Sequence, residues 1–174
     1  MPCISPLKNK LYTQQDRASA NDFAAETRRL FQVDTNLMAY FNRTFAGGKW
    51  NHFMDQPHLG YTSWNDPPHN SLRTIKLVEV EVPDEAAMGV AVEGSESAWP
   101  GATNEAVLPA FDVFNQQRHY IDVFNRGKKI FVFTAKASEP WIVVAVTQGT
   151  YQNTSGCGSA WIGARLQPAR PAAQ

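Results

Sequence analysis

The chain has 174 residues, of which 43% are hydrophobic and 11% aromatic, so it can pack one ordinary domain or two small ones and wholesale disorder is excluded. Sixteen basic residues balance sixteen acidic ones, which removes the electrostatic basis for nonspecific binding to nucleic acids or anionic membranes. No run approaches the roughly 18 apolar residues of a membrane span, and the N-terminal segment lacks the apolar core of a signal peptide. These features fit a cytoplasmic protein or a chain whose true start has been lost, so the cellular location stays open.

Two helices are predicted in the first part of the chain. Apolar residues recur at helical spacing from Asn21 to Phe45, and helices are expected near 19–32 and 35–46. Asp34 and Thr35 interrupt the pattern and are typical helix caps, while the glycines at 47 and 48 favour a helix end. We expect an antiparallel hairpin that forms part of a larger helical bundle, because two helices cannot bury all of their apolar faces.

Beyond Pro67 and Pro68 the apolar period becomes two, which indicates strands. Strands are predicted at 73–82, 88–92, 118–124, 130–134 and 141–147, and with no helix between them they favour an antiparallel β-sandwich. The predicted fold class is therefore α+β, with a helical hairpin followed by a truncated sandwich. The predicted domains are a helical segment with an aromatic-rich loop (1–68), a β-sandwich (69–155) and an irregular or disordered tail (156–174).

The segment from Gly47 to Pro68 interleaves aromatic rings with imidazole, amide and carboxylate groups. Rings can cover the apolar faces of sugars or of a protein partner, and the polar groups can satisfy hydroxyls. The alternative is that the rings only seal the top of a pair of helices. The candidate contact residues in this segment are Trp50, His52, Asp55, His58, Tyr61 and Trp64.

Motifs for metal binding and catalysis are weak. His52 and His58 flank Asp55, but their spacing is not that of a helical zinc pair and Pro57 breaks any helix, so neither a metal nor a cofactor is predicted. No catalytic residue is predicted either, because none of the available carboxylates sits in a motif that singles out an acid–base pair: Asp55, Asp66, Glu93, Glu96, Asp112 and Asp122. A disulfide between Cys3 and Cys157 cannot be argued from the sequence.

Four residues of the predicted sandwich can line a binding face. They lie where strands with alternating side chains run into glycine turns, and ordinary edge-strand and turn chemistry is the alternative for each. They are Trp99, His119, Tyr120 and Arg126.

Five strings of this chain resemble the C-terminal part of family 115 glycoside hydrolases, which are xylan α-1,2-glucuronidases. The resemblance covers roughly residues 7–150 in the family's order. It implies four parts in the whole enzyme: an α/β domain, a TIM barrel with the active site, a helical bundle and a C-terminal β-sandwich. It also implies removal of glucuronic or 4-O-methylglucuronic acid branches from xylan with inversion, and dimerisation through the bundle and the sandwich. The strings are RASANDFAAETRRLF, FNRTFAGGKWNHFMDQPHLGYTSWNDPP, MGVAVEGSESAWPG, LPAFDVFNQQRHYIDVFNRG and PWIVVAVTQG.

The resemblance implies that this chain supplies the last helices of the bundle and the opening half of the sandwich, without the catalytic carboxylates. Its expected partners are the catalytic domains of a parent enzyme or a second copy of itself, with xylan as a further candidate; nucleic acid and membrane are not expected. The parent can be secreted or periplasmic. We further expect Met1 to be an internal start and the tail to be a frameshift product.

Two other functions stay open at this point. A free-standing carbohydrate-binding module would use Trp50, Tyr61, Trp64 and Trp99 as stacking platforms. An independently active hydrolase is the third interpretation, and release of glucuronic acid from glucuronoxylan would establish it.

Overall fold

The structure is a computed structural model that describes residues 4–65, 67–112, 114–115, 117–151 and 160–166. Cys3, Asp66 and Cys157 lie outside these residues. The elements are helices α1 (Ile4–Gln14) and α2 (Ala20–Arg43), a short 3₁₀ helix (Phe45–Gly48), and strands β1 (Met88–Val92), β2 (Arg118–Asn125), β3 (Phe131–Thr134), β4 (Ile142–Val144), β5 (Gln148–Tyr151) and β6 (Ala160–Leu166). Two helices followed by antiparallel sheets confirm the α+β fold class.

The chain divides into two compact units. The first, here called the helical unit, comprises the residues up to Lys10 together with Ala20–Glu79. The second, the β unit, comprises Leu11–Ser19 and the residues from Val80 onward. The division therefore falls after Glu79 and not at the predicted boundary after Pro68, and a short N-terminal segment belongs with the strands.

Helix α2 runs without a break through the position where two helices were predicted, so the expected hairpin of 19–32 and 35–46 is wrong. The hydroxyl of Thr35 donates to the carbonyl oxygen of Phe31 at 3.0 Å, inside the helix, and does not cap a new one. The carboxylate of Asp34 meets His58 Nε2 at 3.0 Å. Both polar residues thus make contacts that leave the helix intact.

Residues 73–82 were predicted to form a strand, and the structure shows none there. The side chain of Asn9 replaces a strand partner: its Nδ2 donates to Val78 O at 2.8 Å and its Oδ1 accepts from Val78 N at 3.1 Å. Asn9 is fully buried and also donates to Ala20 O at 2.9 Å. One amide side chain therefore fixes this extended segment to both helices of the helical unit.

The β unit contains a four-stranded antiparallel sheet in the order β1-β2-β6-β4 and a two-stranded antiparallel sheet, β3-β5. Strand β6 lies between β2 and β4 although it falls in the predicted irregular tail, so that prediction is wrong for residues 160–166; residues 152–159 and 167–174 lie outside the described part. Val123 and Ile162 of the larger sheet pack with Phe133 of the smaller one in a single buried cluster. The sandwich itself stays a prediction.

Each sheet pairs a glycine with a phenylalanine directly across two strands. Gly89 opposes Phe124, and Gly149 opposes Phe133. A Cβ atom at Gly89 would lie 2.4 Å from the Phe124 ring, and one at Gly149 would lie 2.6 Å from the Phe133 ring. The rings therefore occupy the space that the glycines leave, and each is almost completely buried.

A buried ion pair fixes Leu11–Ser19 within the β unit. Arg17 Nη1 lies 2.5 Å from Asp122 Oδ2, and the two side chains are only 3% and 9% exposed. The guanidinium also lies against the rings of Tyr12 and Phe124, at 4.2 and 3.8 Å from their centroids. Its Nε donates to Gln15 Oε1. Charge, hydrogen bonds and ring contacts together satisfy a cation that would otherwise be costly to bury.

Candidate functional site

The C-terminal half of α2 and the aromatic loop that follows it form the most distinctive surface of the helical unit. The chain turns after α2 through the 3₁₀ helix, where Ala46 and Gly47 adopt positive φ angles of 50° and 66°. His52 also has a positive φ of 68°. Such angles are uncommon for residues other than glycine, and they persist where surrounding contacts hold the backbone.

Asn42, near the end of α2, binds the loop through its side-chain amide. Its Nδ2 donates to Asp55 Oδ1 at 2.7 Å, and its Oδ1 accepts from Met54 N at 3.0 Å. The other carboxylate oxygen of Asp55 lies 2.5 Å from His52 Nδ1. Because Asn42 is buried, this chain of hydrogen bonds sets the orientation of both Asp55 and His52 from a rigid helix.

These hydrogen bonds orient the imidazole of His52, as acid–base chemistry would require. A groove of about 820 Å³ beside His52 is also lined by Thr35 and His69. The Thr35 hydroxyl is directed back into α2, where it donates to the Phe31 carbonyl oxygen. Through Asn42, the hydrogen bonds of Met54 and Asp55 fasten the loop to α2.

Aromatic rings pack in series from α2 into the loop. Phe41 stacks on Phe45 with centroids 5.5 Å apart, and it contacts Phe53 at 6.4 Å. Phe53 in turn meets Trp50 edge to face at 5.9 Å, and Lys49 Nζ lies 5.1 Å above the Trp50 ring. Trp50 is thus part of a ring cluster, although both it and Phe53 keep exposed surface.

An apolar groove of about 780 Å³ lies between α2 and the loop. Polar contacts hold its rim: His58 Nε2 meets the Asp34 carboxylate, and the Tyr61 hydroxyl donates to Pro57 O at 3.0 Å. The structure thus brings two predicted contact residues, His58 and Tyr61, to the edge of one groove. The groove is lined by Asp34, Leu37, Met38, Phe41, Phe53, Met54, Gln56, Pro57, His58 and Tyr61.

A stripe of apolar side chains continues along α2 beside this groove. Leu30, Val33, Leu37 and Tyr40 are spaced by three, four and three residues, the spacing of side chains that pack against another helix. Within the chain the last three are exposed, Leu37 at 64%, Tyr40 at 53% and Val33 at 47%. The buried apolar residues of α2, in contrast, all lie in its first turns: Ala20, Phe23 and Ala24.

Trp64 is separate from the ring cluster and is 91% exposed. Its neighbours Ser63 and Asn65 line a cleft of about 340 Å³. Among the candidates in the aromatic loop, Trp64 therefore differs from Trp50, which packs on Phe53, and from Tyr61, which lines the apolar groove.

The four candidates of the β unit have individual structural contacts. His119 Nδ1 lies 3.1 Å from Glu93 Oε2, which also accepts from Tyr120 N at 3.1 Å. Trp99 Nε1 donates to Asn104 O at 2.7 Å. Arg126 donates to the carbonyl oxygens of Gln15 and Pro100.

These contacts do not form one binding face. His119 and Tyr120 are adjacent in β2, so their side chains point to opposite sides of the sheet. His119 is nearly buried and meets the Phe111 ring edge to face at 4.7 Å. The contacts of these four residues are those of ordinary turns and strands, which is the alternative given for each of them above.

The sequence interpretation missed Arg17, and it took Asp122 only as one carboxylate among several. The two residues are 105 positions apart, and no local pattern links them. Arg17 lies three residues before α2, and nothing in the sequence around it predicts an ion pair. The pair becomes visible only when the position of β2 in the fold is known. Of the other described carboxylates, Asp55 and Glu93 are bound by histidines, and Asp112 accepts from the Phe114 amide.

Burial raises the pKa of the Tyr151 phenol above its ordinary value. Tyr151 is buried and stacks on Phe131 with centroids 5.5 Å apart. On the surface of α2, a hydrogen bond from Arg29 lowers the pKa of the Glu26 carboxyl. Neither group is among the residues that line the grooves described above.

Within the described residues no group of three or more His, Cys, Asp or Glu side chains could hold a metal ion. The helices of this part of the chain include none that is long and apolar enough to cross a membrane. Comparison with models of known protein families and with curated proteins finds no match.

Proposed function

We propose that this chain is a non-catalytic, association-forming part of a xylan α-1,2-glucuronidase of glycoside hydrolase family 115. In this proposal α2 and the aromatic loop contact another helix, either of the enzyme's other domains or of a second copy. The enzyme would remove glucuronic or 4-O-methylglucuronic acid from xylan, and this chain would contribute no catalytic group. The family assignment is supported by the string resemblance of residues 7–150.

The observation that carries the association function is the exposed stripe on α2. A helix in a protein gains most of its stability from burying one apolar face, yet the buried apolar residues of α2 all lie in its first turns. Burying a large aliphatic side chain contributes about 1.5–3 kcal/mol when it is fully transferred from water. Leu37, Val33 and Tyr40 leave much of that free energy available to a partner helix.

The shape of the surface favours a helical partner. A three-four repeat of apolar residues is the seam that packs into the ridges of another helix at a shallow crossing angle. The adjoining groove adds Phe53, Met54 and Tyr61 to the same apolar surface. Methionine and aromatic side chains are common at contact surfaces of this kind because they adapt their shape and bury large areas.

Sedimentation velocity over a range of concentrations tests this proposal with two matched variants. Leu37→Glu puts a charge in the stripe, and Gln32→Glu puts the same charge on the opposite side of α2, at an exposed residue whose side-chain amide donates to Asn36 Oδ1. We expect the wild-type chain and Gln32→Glu to associate, and Leu37→Glu to weaken association at least tenfold.

A second arm covers the other partner. The chain is mixed with the polypeptide that carries the barrel and remaining bundle helices of a family 115 glucuronidase, and binding is followed by the same method. If the wild-type chain neither self-associates nor binds that polypeptide, or if Leu37→Glu behaves like Gln32→Glu in both arms, the proposed function is wrong.

A further inference from the structure

We propose that the outer edge of strand β3 binds an acidic segment of a partner protein as an added strand. The ligand class is an extended peptide with alternating β-branched residues between acidic ends. In strand addition, backbone hydrogen bonds supply affinity and alternate side chains supply specificity. The site lies in the β unit, and it does not depend on the function proposed for α2.

Strand β3 has hydrogen-bonding groups on both of its edges, and β5 uses only one of them. Ala135 N, just past the strand, donates to Thr147 O at 2.8 Å, so Phe133 and its alternate neighbours are the residues that bond to β5. The N–H and C=O groups of Val132 and Thr134 therefore point away from β5. Within the described residues no backbone group bonds to them. This edge is thus a template for a third strand.

The side chains along this edge suit a β-branched partner strand. Val132 is 61% exposed and Ile130, directly before the strand, is 57% exposed. Thr134 is exposed as well, whereas Phe133, between the two exposed positions of the strand, is buried. Directly opposed β-branched side chains stabilise an antiparallel pair of strands. A third strand with valine at alternate positions would supply these neighbours and cover the exposed aliphatic groups.

Three lysines decide which strand the edge accepts. Lys128 and Lys129 precede β3 and Lys136 follows it, and all three are exposed. None of them forms an ion pair with a carboxylate in the described part of the chain. Two copies paired antiparallel about Val132 would set Lys128 of one protomer opposite Lys136 of the other, and like charges at opposed positions destabilise such a pair. The lysines therefore guard the edge against a second copy and favour a strand with acidic ends.

The test is a titration of the full chain with the capped peptide Glu-Thr-Val-Thr-Val-Thr-Val-Thr-Glu. When this peptide pairs antiparallel about Val132, its central valine lies opposite Val132 and its two glutamates lie opposite Lys128 and Lys136. A control peptide has the same core with lysine at both ends. Binding is followed by the fluorescence anisotropy of a labelled peptide, and NMR follows the hydrogen exchange of the Val132 and Thr134 amides.

We expect saturable binding of the glutamate peptide, with roughly fivefold weaker binding of the lysine peptide. The glutamate peptide should also slow the exchange of the Val132 and Thr134 amides, because it takes up their hydrogen bonds. The double variant Lys128→Glu/Lys136→Glu should reverse the preference and bind the lysine peptide more tightly. A folding defect cannot produce this gain of binding.

Leu37→Glu should bind the glutamate peptide as the wild-type chain does, which keeps this result separate from the proposed function. Failure of the glutamate peptide to bind, equal binding of the two peptides, or a preference that the double variant leaves unchanged overturns the proposal. Binding that leaves the exchange of Val132 and Thr134 unchanged also overturns it, because the peptide then occupies another surface.

Discussion

Replacing Arg17 by methionine should destabilise the β unit strongly. The substitution keeps an unbranched apolar chain between the rings of Tyr12 and Phe124 but removes the charge that pairs with Asp122. Asp122 would then be left as a carboxylate with 9% exposure and no cation beside it. Breaking a buried ion pair by removing one partner costs about 3–5 kcal/mol in free energy of unfolding.

The chain contains its own control for this magnitude. Arg28 pairs with Glu79 at 2.6 Å, almost the same separation, but these side chains are 53% and 57% exposed. Exposed pairs contribute at most about 1 kcal/mol because water and salt screen them. Arg28→Met should therefore change the free energy of unfolding several-fold less than Arg17→Met, although both remove one guanidinium from a short ion pair.

Urea unfolding followed by circular dichroism measures both variants, and the double variant Arg17→Met/Asp122→Asn completes the comparison. Since the double variant leaves no unpaired buried charge, it should recover part of the stability that Arg17→Met loses. Equal effects of Arg17→Met and Arg28→Met, or a double variant that is no more stable than Arg17→Met, would refute the argument that burial makes this pair important.

Two further predictions concern the β unit. Gly89→Ala should lower the free energy of unfolding by about 1–3 kcal/mol, because the new Cβ meets the fully buried Phe124 ring. Gly163→Ala in the same sheet is the control: its Cβ would meet Ala145 Cβ at an ordinary contact distance of 3.5 Å, and its effect should be near zero. Equal effects of the two substitutions in urea unfolding would count against the ring contact. Because burial raises the pKa of Tyr151, the folded protein keeps a proton that the unfolded chain loses above about pH 10, so stability should fall as pH rises through that range. Tyr151→Phe should show a shallower alkaline loss when urea midpoints are compared from about pH 8 to 11, and an identical slope would contradict the assignment.

Local patterns in the sequence predicted much of the β unit. Strands β1, β2 and β3 lie within a residue of their predicted positions, because alternating side chains and turn residues act over a few positions. Strand β4 covers only the middle of its predicted range, and β5 follows as a separate strand. The helical pattern around Phe23 and Leu30 likewise located α2, but not its length.

The errors came from contacts between distant residues. Asp34 is a typical helix-cap residue, but its carboxylate binds His58, which lies 24 positions away in the sequence. Val78 alternates like a strand residue, but Asn9 takes its backbone hydrogen bonds. Strand β6 was not predicted because it contains small residues with weak strand propensity. Its backbone is extended because it pairs with β2, which is distant in the sequence.

The candidate site was only partly predictable for the same reason. The composition of the aromatic loop indicated a surface that contacts a sugar or a protein partner. The structure places two of its candidate residues, His58 and Tyr61, at one groove. The sequence did not separate the packed ring of Trp50 from the exposed ring of Trp64, because exposure depends on Phe53 and on the fold of the loop. Nor did it single out the stripe of Leu37 and Tyr40, because apolar helix residues are buried by default.

The central claim is that another helix covers the stripe on α2. Hydrogen exchange of residues 30–43 tests it most directly when it is measured in the dilute chain, in the concentrated chain, and in the chain mixed with the barrel-bearing polypeptide of a family 115 glucuronidase. A helix face without a partner opens readily, and packing against another helix slows its exchange. The account predicts slower exchange of these residues in at least one of the last two samples, with little change in β1 and β2. Exchange that is equally fast in all three samples would contradict it.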